Sequence, residues 1–253
     1  MRIDLHIHTK NSDGELDIQK AIPSLFSSYA LVAFTDHENI FNPNDFPANN
    51  STTYISGVEI CCRHEGYNIE VLGYDFDVTN DAIVALVNKI RKLRISIINN
   101  IFERNGFFAE DSLVNPFRIN IPLPNSVERR TFWKQYEAEY ISMCHSIPAI
   151  DVIETIIAAN GVPVLAHPME SLVGTEENDV EKFILSLGLN TVELITPKHS
   201  VKDITLIRNI IKKNDLSGSI GSDSHQAELT KIPHGYDINE RCFKWIYELI
   251  KTP

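Results

Sequence analysis

The chain has no Cys-x-x-Cys pair, and its four cysteines (Cys61, Cys62, Cys144 and Cys242) are too few and too scattered to staple 253 residues together. That excludes a disulfide framework. The cysteines are read as reduced and structural, Cys61 and Cys62 pointing to opposite faces of one strand. A cysteine turned toward a metal pocket is the lesser reading. No apolar run approaches the roughly 20 residues that a membrane span needs. The start, Met1-Arg2-Ile3-Asp4, enters a strand pattern with no signal-peptide character, so a cytoplasmic location is expected. Positive charge is scarce too: 23 Lys and Arg face 34 Asp and Glu, a formal net charge of −11. Such a surface disfavours extended binding to nucleic acid. A small phosphorylated substrate, or a short nucleic-acid end, still fits a locally positive pocket. No internal repeat or low-complexity tract is present.

What remains is a well-patterned α/β chain. Apolar, β-branched segments at 3–7, 31–35, 54–60, 69–74, 162–166, 191–195 and 217–221 read as strands. Helical spacing is found over 16–29, where Pro23 counts against it, and over 149–160, 201–213 and 238–251. Gly161 stands where a helix commonly ends. Alternation of this kind argues for a parallel sheet, most simply one closed into a barrel. One stretch breaks the rhythm. Asn80 or Asp81 can cap a long helix with apolar positions from Ile83 to Phe102, ended by Asn105-Gly106. Residues 107–127 then hold Pro116, Pro122 and Pro124 and no clear strand. A second helix over 127–144 carries Phe132, Trp133, Tyr136 and Tyr140 at helical spacing, which suits packing better than base stacking. Residues 1–79 and 146–253 are therefore expected to form the barrel, and 80–145 a helical insertion over its mouth.

Imidazoles and carboxylates cluster at the ends of the strands. His6 and His8 lie two apart, so they share a face with roughly 6–7 Å between them and can reach one ion. Asp13 follows in a loop with Gly14, which gives the backbone room to bring a carboxylate back. Thr35-Asp36-His37 ends the second strand, and Gly57-Val58-Glu59 places an acid inside the third. Ala166-His167-Pro168 and Gly221-Ser222-Asp223-Ser224-His225 end two more. In a parallel barrel the active site lies at the carboxyl ends of the strands. Nitrogen and oxygen donors in that number suit several divalent cations. His145 and His234 belong to no motif and are read as structural.

In this order the motifs resemble the polymerase-and-histidinol-phosphatase (PHP) superfamily, and within it the small stand-alone phosphoesterases, which include nucleotide phosphatases and a 5′-to-3′ nuclease of RNA ends. The resemblance covers residues 1 to about 80 and 145 to about 235. It implies a distorted seven-stranded TIM-like barrel and two or three divalent metals, usually manganese, iron or zinc. Carried over by position, His6, His8, Glu59 and Asp223 hold one metal, and Asp13, His37 and His225 a second. Glu59 bridges to a third, completed by His167 and Glu70. The family usually has histidine where this chain has Glu70, and an oxygen ligand favours manganese or magnesium. His64 is a weaker substitute there. No Arg-x-His motif of the family's kind appears between Phe107 and Cys144.

The implied chemistry is hydrolysis of a phosphate monoester of a small metabolite, a nucleotide foremost, by a metal-activated hydroxide. His199 is the candidate general acid or substrate contact, and Lys198 a candidate phosphate contact. Asp36 either takes part in catalysis or anchors its strand end and His37, and Glu193 orients a neighbour. Three other readings stay open: a 5′-3′ exonuclease on short ends, an amidohydrolase-type enzyme and a non-catalytic metal-binding barrel. Amidohydrolases normally want a bridging lysine at a strand end, which is absent here. Composition leaves the oligomeric state open.

Overall fold

The strands form where the β-branched runs lie. The computed structural model describes residues 2–21, 25–45, 52–107, 126–227 and 241–251. Pro23, Pro116, Pro122, Pro124 and His234 lie outside the described residues. The strands are β1 (Arg2–Asp4), β2 (Tyr29–Ala33), β3 (Thr53–Ile55), β4 (Gly57–His64), β5 (Tyr67–Tyr74), β6 (Val162–Leu165), β7 (Thr191–Ile195) and β8 (Ser217–Ile220). The helices are α1 (Ile18–Ala21), α2 (Asp81–Arg104), α3 (Ser126–Cys144), α4 (Ala149–Ala158), α5 (Pro168–Ser171), α6 (Glu177–Ser186), α7 (Val201–Asn214) and α8 (Lys244–Lys251).

The expected closed seven-stranded barrel is not what forms. The described residues form two sheets, a three-stranded one ordered β1-β2-β3 and a five-stranded one ordered β4-β5-β6-β7-β8. Two local causes account for this. The run read as one strand over 54–60 divides at Ser56, whose hydroxyl bonds both the amide and the carbonyl of Phe76, at 2.7 and 2.8 Å. Gly57 then presses against the Phe34 carbonyl, so closely that a Cβ would sit 2.3 Å from its oxygen. β3 thus stays with the first sheet while β4 opens the second. Next, Glu65 and Gly66 turn at φ 48° and 87°, which ties β4 to β5 as a tight hairpin. β5 accordingly runs antiparallel to both β4 and β6, and the remaining pairs are parallel. At their edges the sheets meet through isolated bridges, Ile7 to Ser224 and His37 to Glu59, instead of a continuous ladder.

Helix α2 starts as its sequence predicts, with the Asn80 side chain accepting from the Ala82 and Ile83 amides. Of the expected helix over 16–29, the described residues show Ile18–Ala21 as α1, and residues 25–29 are not helical. At the end of α4 the left-handed residue is Asn160, at φ 61°, not Gly161. Gly161 is required by packing: a Cβ there would lie 2.6 Å from the Phe76 Cβ. The main core includes Ile60, Leu72, Val164, Leu194 and Ile220 under α4, α6 and α7. Phe132, Trp133, Tyr136 and Tyr140 of α3 pack against Ile97, Ile101 and Phe102 of α2 in a separate cluster. Among the described residues no helix is long and apolar enough to cross a membrane.

Candidate metal centre

The segment after β1, the end of β2 with the residues that follow it, and the ends of β6 and β8 converge on Glu59 of β4. Glu59 Oε1 lies 3.3 Å from His6 Nε2 and 3.4 Å from His167 Nε2. Its other oxygen lies 3.1 Å from His8 Nε2 and 3.4 Å from His37 Nδ1. His6 Nε2 and His8 Nε2 face each other at 3.2 Å, and Asp223 Oδ1 sits 3.5 and 3.3 Å from them. Asp13 stands beside His8, His37 and His225, at 3.4, 3.7 and 3.3 Å. Glu70 approaches His167 at 3.3 Å and His37 at 3.7 Å. Every ligand candidate read from the sequence is therefore in this one cluster. His8 groups with Asp13, His37 and His225 as well as with His6 and Glu59.

The donor set fits divalent cations. Ligand atoms about 2.0–2.2 Å from one ion lie roughly 3–3.6 Å from each other, which is the spacing found here. Glu59 Oε1, buried, accepts no hydrogen bond of sound geometry, and a buried carboxylate oxygen without a partner is costly. Burial alone would push His6 and His8 down. The neighbouring carboxylates outweigh it, Glu59, Glu193 and Asp223 for His6, and Asp13, Asp223 and Glu59 for His8, holding both well above the usual imidazole range. His167 is likewise opposed by burial, yet Glu59 and Glu70 raise it to about 9. Asp13 and Asp223 move the other way, below the ordinary carboxylate range against the cost of burial, through the histidines beside them.

A scaffold of buried hydrogen bonds sets these side chains. Glu193 accepts the His167 amide at 2.8 Å and meets His6 Nδ1 at 3.1 Å, which leaves His6 Nε2 turned to the cluster. Asp4 accepts from the Ser222 and His6 amides, at 2.9 and 3.3 Å, and burial pushes it up to about 7. Gly221 lets β8 touch the first sheet, since a Cβ there would be 2.1 Å from the His6 Cβ. His167 and Asp223 take positive φ, 21° and 47°, a conformation that side chains other than glycine adopt at a cost.

Asp36 stands outside the cluster. Its carboxylate accepts from the Thr9 amide at 2.7 Å and from the Thr9 and Ser12 hydroxyls at 2.6 Å each, pinning the turn that carries Asp13. His64 also stays apart, bonded to Ser186 Oγ at 2.7 Å. His199 is buried, with Nδ1 against the Leu194 carbonyl at 3.1 Å; burial lowers its pKa. Lys198 Nζ reaches Asp223 Oδ2 at 3.3 Å and Glu170 Oε1 at 3.2 Å.

A pocket of about 540 Å³ opens over the cluster, bounded by Tyr140, Ile141, Cys144 and His145 of α3 and its end, and by Lys198 on another side. Its size suits a small metabolite. Sequence reasoning missed the buried pair at its back. Arg94 of α2 donates to both oxygens of Glu38, at 3.0 Å each, and to Tyr140 Oη at 2.7 Å. The signal was there: Arg94 takes an apolar-stripe position between Ile90 and Ile97. Glu170 was missed too. It lies 3.5 Å from His167 Nδ1, on α5.

No protein-family model matches the chain. Its sequence is 24% identical over 246 residues to a 5′-3′ exoribonuclease of Haemophilus influenzae, covering 88% of this chain and 90% of that protein. It is equally 24% identical, over 251 residues, to a 3′,5′-nucleoside bisphosphate phosphatase of Chromobacterium violaceum, covering 88% and 87%. Among solved structures, an amidohydrolase from Chromobacterium violaceum with bound sulfate and no metal superposes with TM-score 0.69 at 20% identity, over 98% of this chain and 97% of that one. A protein of Bifidobacterium adolescentis, provisionally assigned as a metal-dependent phosphoesterase, gives TM-score 0.69 at 17% identity, over 98% and 96%. The structural matches show a shared fold. The sequence matches are named for cleavage of phosphate esters, and they span nearly the whole chain.

Proposed function

We propose that this chain is a metal-dependent phosphoesterase of the PHP superfamily, hydrolysing a phosphate monoester of a small metabolite, a nucleotide first. The observation that carries the reading is the set of overlapping donor groups joined through Glu59 and His8 beneath a pocket of metabolite size. In this reading His6, His8, Glu59 and Asp223 hold one cation, Asp13, His37 and His225 a second, and Glu59, Glu70 and His167 a third. Divalent ions held there supply Lewis acidity, lowering the pKa of a water and neutralising charge on phosphoryl oxygens.

The protein's own groups do the rest. Glu193 fixes the His6 ring and Asp36 the Asp13 turn. Lys198, already between two carboxylates, supplies a cation for a substrate phosphate, Arg94 being held by Glu38. His199 has Nδ1 bonded to a carbonyl and Nε2 buried without a partner, outside the residues that line the pocket, so a role as acid requires water or the substrate to reach that nitrogen. It serves as an acid after taking up a proton, which burial makes it release readily. Residues 80–145 act as an insertion, and α3 walls the pocket.

The Haemophilus relative's name favours a second reading, trimming of short 5′ ends. The net charge of −11 weighs against long polyanions. A phosphate-release screen with manganese separates the two: nucleoside monophosphates, 3′,5′-bisphosphates, histidinol phosphate and short oligonucleotides. Release from a mononucleotide, lost by several orders of magnitude in Asp223→Asn, is expected. Near-normal turnover in that variant, or less than one metal equivalent per chain by elemental analysis, refutes the proposal.

A further inference from the structure

We infer that Cys61 is a metal ligand, which completes with Glu70 and His37 a mixed sulfur, oxygen and nitrogen position suited to a borderline-soft dication such as zinc. This rests on reading the cluster as a metal centre and deepens it. Three observations carry it. First, Cys61 on β4 stands directly opposite Glu70 on β5 in the antiparallel register, so both side chains leave the sheet on one face. Glu59, two residues before Cys61, shares that face. Second, the donor atoms of His37, Cys61 and Glu70 all lie within 4.8 Å of one another, with Cys61 Sγ 3.3 Å from Glu70 Oε1. Third, Arg94 Nη2 donates to that same sulfur at 3.2 Å while the thiol donates to Glu70 Oε1; a guanidinium beside the sulfur would stabilise the thiolate that metal binding creates. The neighbouring Cys62 supplies the contrast, since it packs in the hydrophobic core whereas Cys61 lines the pocket.

The consequence is a reversal of metal preference. Glu70 alone tilts its position toward manganese or magnesium, whereas a thiolate selects zinc, cobalt or iron. On binding at this position, the Cys61 thiol gives its proton to solvent and the sulfur lone pair goes to the cation, so Cys61 contributes one proton to those released by metal binding.

Cobalt(II) loading of chelator-stripped protein tests this. The wild type is expected to show a near-ultraviolet sulfur-to-cobalt charge-transfer band. Cys61→Ser should lose it while still binding cobalt elsewhere in the cluster, and Cys62→Ser and Cys144→Ser should keep it. If Cys61→Ser does not fold, retention of the band in Cys62→Ser, Cys144→Ser and Cys242→Ser still assigns it to Cys61. Cobalt uptake by the wild type without the band overturns the inference and leaves the metal centre standing. So does loss of the band in Cys144→Ser, or its survival in Cys61→Ser. A protein that takes up no cobalt overturns both.

Discussion

Arg94→Leu is expected to destabilise the chelator-treated protein by about 3–5 kcal/mol, the range for removing one partner of a buried ion pair. Arg94 is 4% exposed and Glu38 1%, so water cannot replace the lost guanidinium. Two donors at 3.0 Å vanish from Glu38, leaving it the Cys61 amide at 3.4 Å. At roughly 2–4 °C per kcal/mol for a chain of this size, Tm drops on the order of 10 °C. The pH dependence sharpens the test. In the wild type burial works to raise Glu38, but Arg94 and His37 outweigh it and hold the group below 4.5. Its stabilisation is therefore present above pH 4.5 and is lost as pH falls through the lower folded value. Without Arg94, burial is opposed only by His37 and the Cys61 amide, and the group moves up. The penalty then appears above pH 4.5 and is complete above the raised value. Urea denaturation at pH 4.5 and 7.5 should find the gap between wild type and variant wider at pH 7.5, with Tyr140→Phe as a control that keeps the pair. A gap under about 1 kcal/mol, the size of an exposed pair, or one equal at both pH values, refutes the argument.

Three further outcomes are expected. Glu193→Gln keeps an acceptor for the His167 amide but frees the His6 tautomer, so metal affinity should fall about 10–100-fold in chelator competition; unchanged affinity would show that Glu193 does not orient His6. Chelator-treated protein should lose Tm between pH 6.5 and 9, because His167, raised from 6.5 to about 9, stabilises most below the lower value and not at all above the higher one; a Tm flat across that window contradicts the proton-held cluster. Gly221→Ala must displace His6, since its Cβ would lie 2.1 Å from the His6 Cβ, so a loss of about 1–3 kcal/mol or more is expected together with weakened metal binding. Wild-type stability and affinity in that variant would mean that β8 and the first sheet have room to separate.

The strands and long helices were legible because their signals are local. The β-branched runs, the Asn80 cap and the stripe from Ile83 to Phe102 each act within a few residues. The residues that converge on Glu59 were legible because each follows or sits in such a run and carries a donor that an apolar strand has no other reason to hold. Closure was not legible, since it depends on contacts distant in sequence. Ser56 divides one apolar run by reaching Phe76, 20 residues on. The Glu65-Gly66 hairpin, a local signal, passed unread, and with it the direction of β5. Asp36 shows a different limit: the motif marks it as chemical, yet its oxygens are already bonded to Thr9 and Ser12. Arg94 shows the converse, a charge on an apolar stripe whose buried partner follows directly after His37.

The split between the sheets gives the cluster a mechanical role beside the chemical one proposed. His6, His8, Asp13 and His37 come from the β1-β2 side, and Glu59, Glu70, His167 and Asp223 from the five-stranded sheet or its loops. The isolated bridge between His37 and Glu59 joins a residue from each set. Backbone bonds cross this seam, among them Leu5 N to the Ile220 carbonyl at 3.0 Å, His8 N to the Ser224 carbonyl at 2.9 Å and Glu38 N to the Glu59 carbonyl at 2.9 Å, and attraction between imidazole and carboxylate adds to them. Protons can supply that attraction, as the raised His6, His8 and His167 indicate. Dications would supply more and would release those protons on binding. Metal binding and alignment of the sheets are then one equilibrium, so amides near Ile7, His37, Glu59 and Ser224 should gain hydrogen-exchange protection on manganese loading before the core strands do. Equal protection gains across β4 and β5, with none at the seam, would show that the sheets are held together without the cluster.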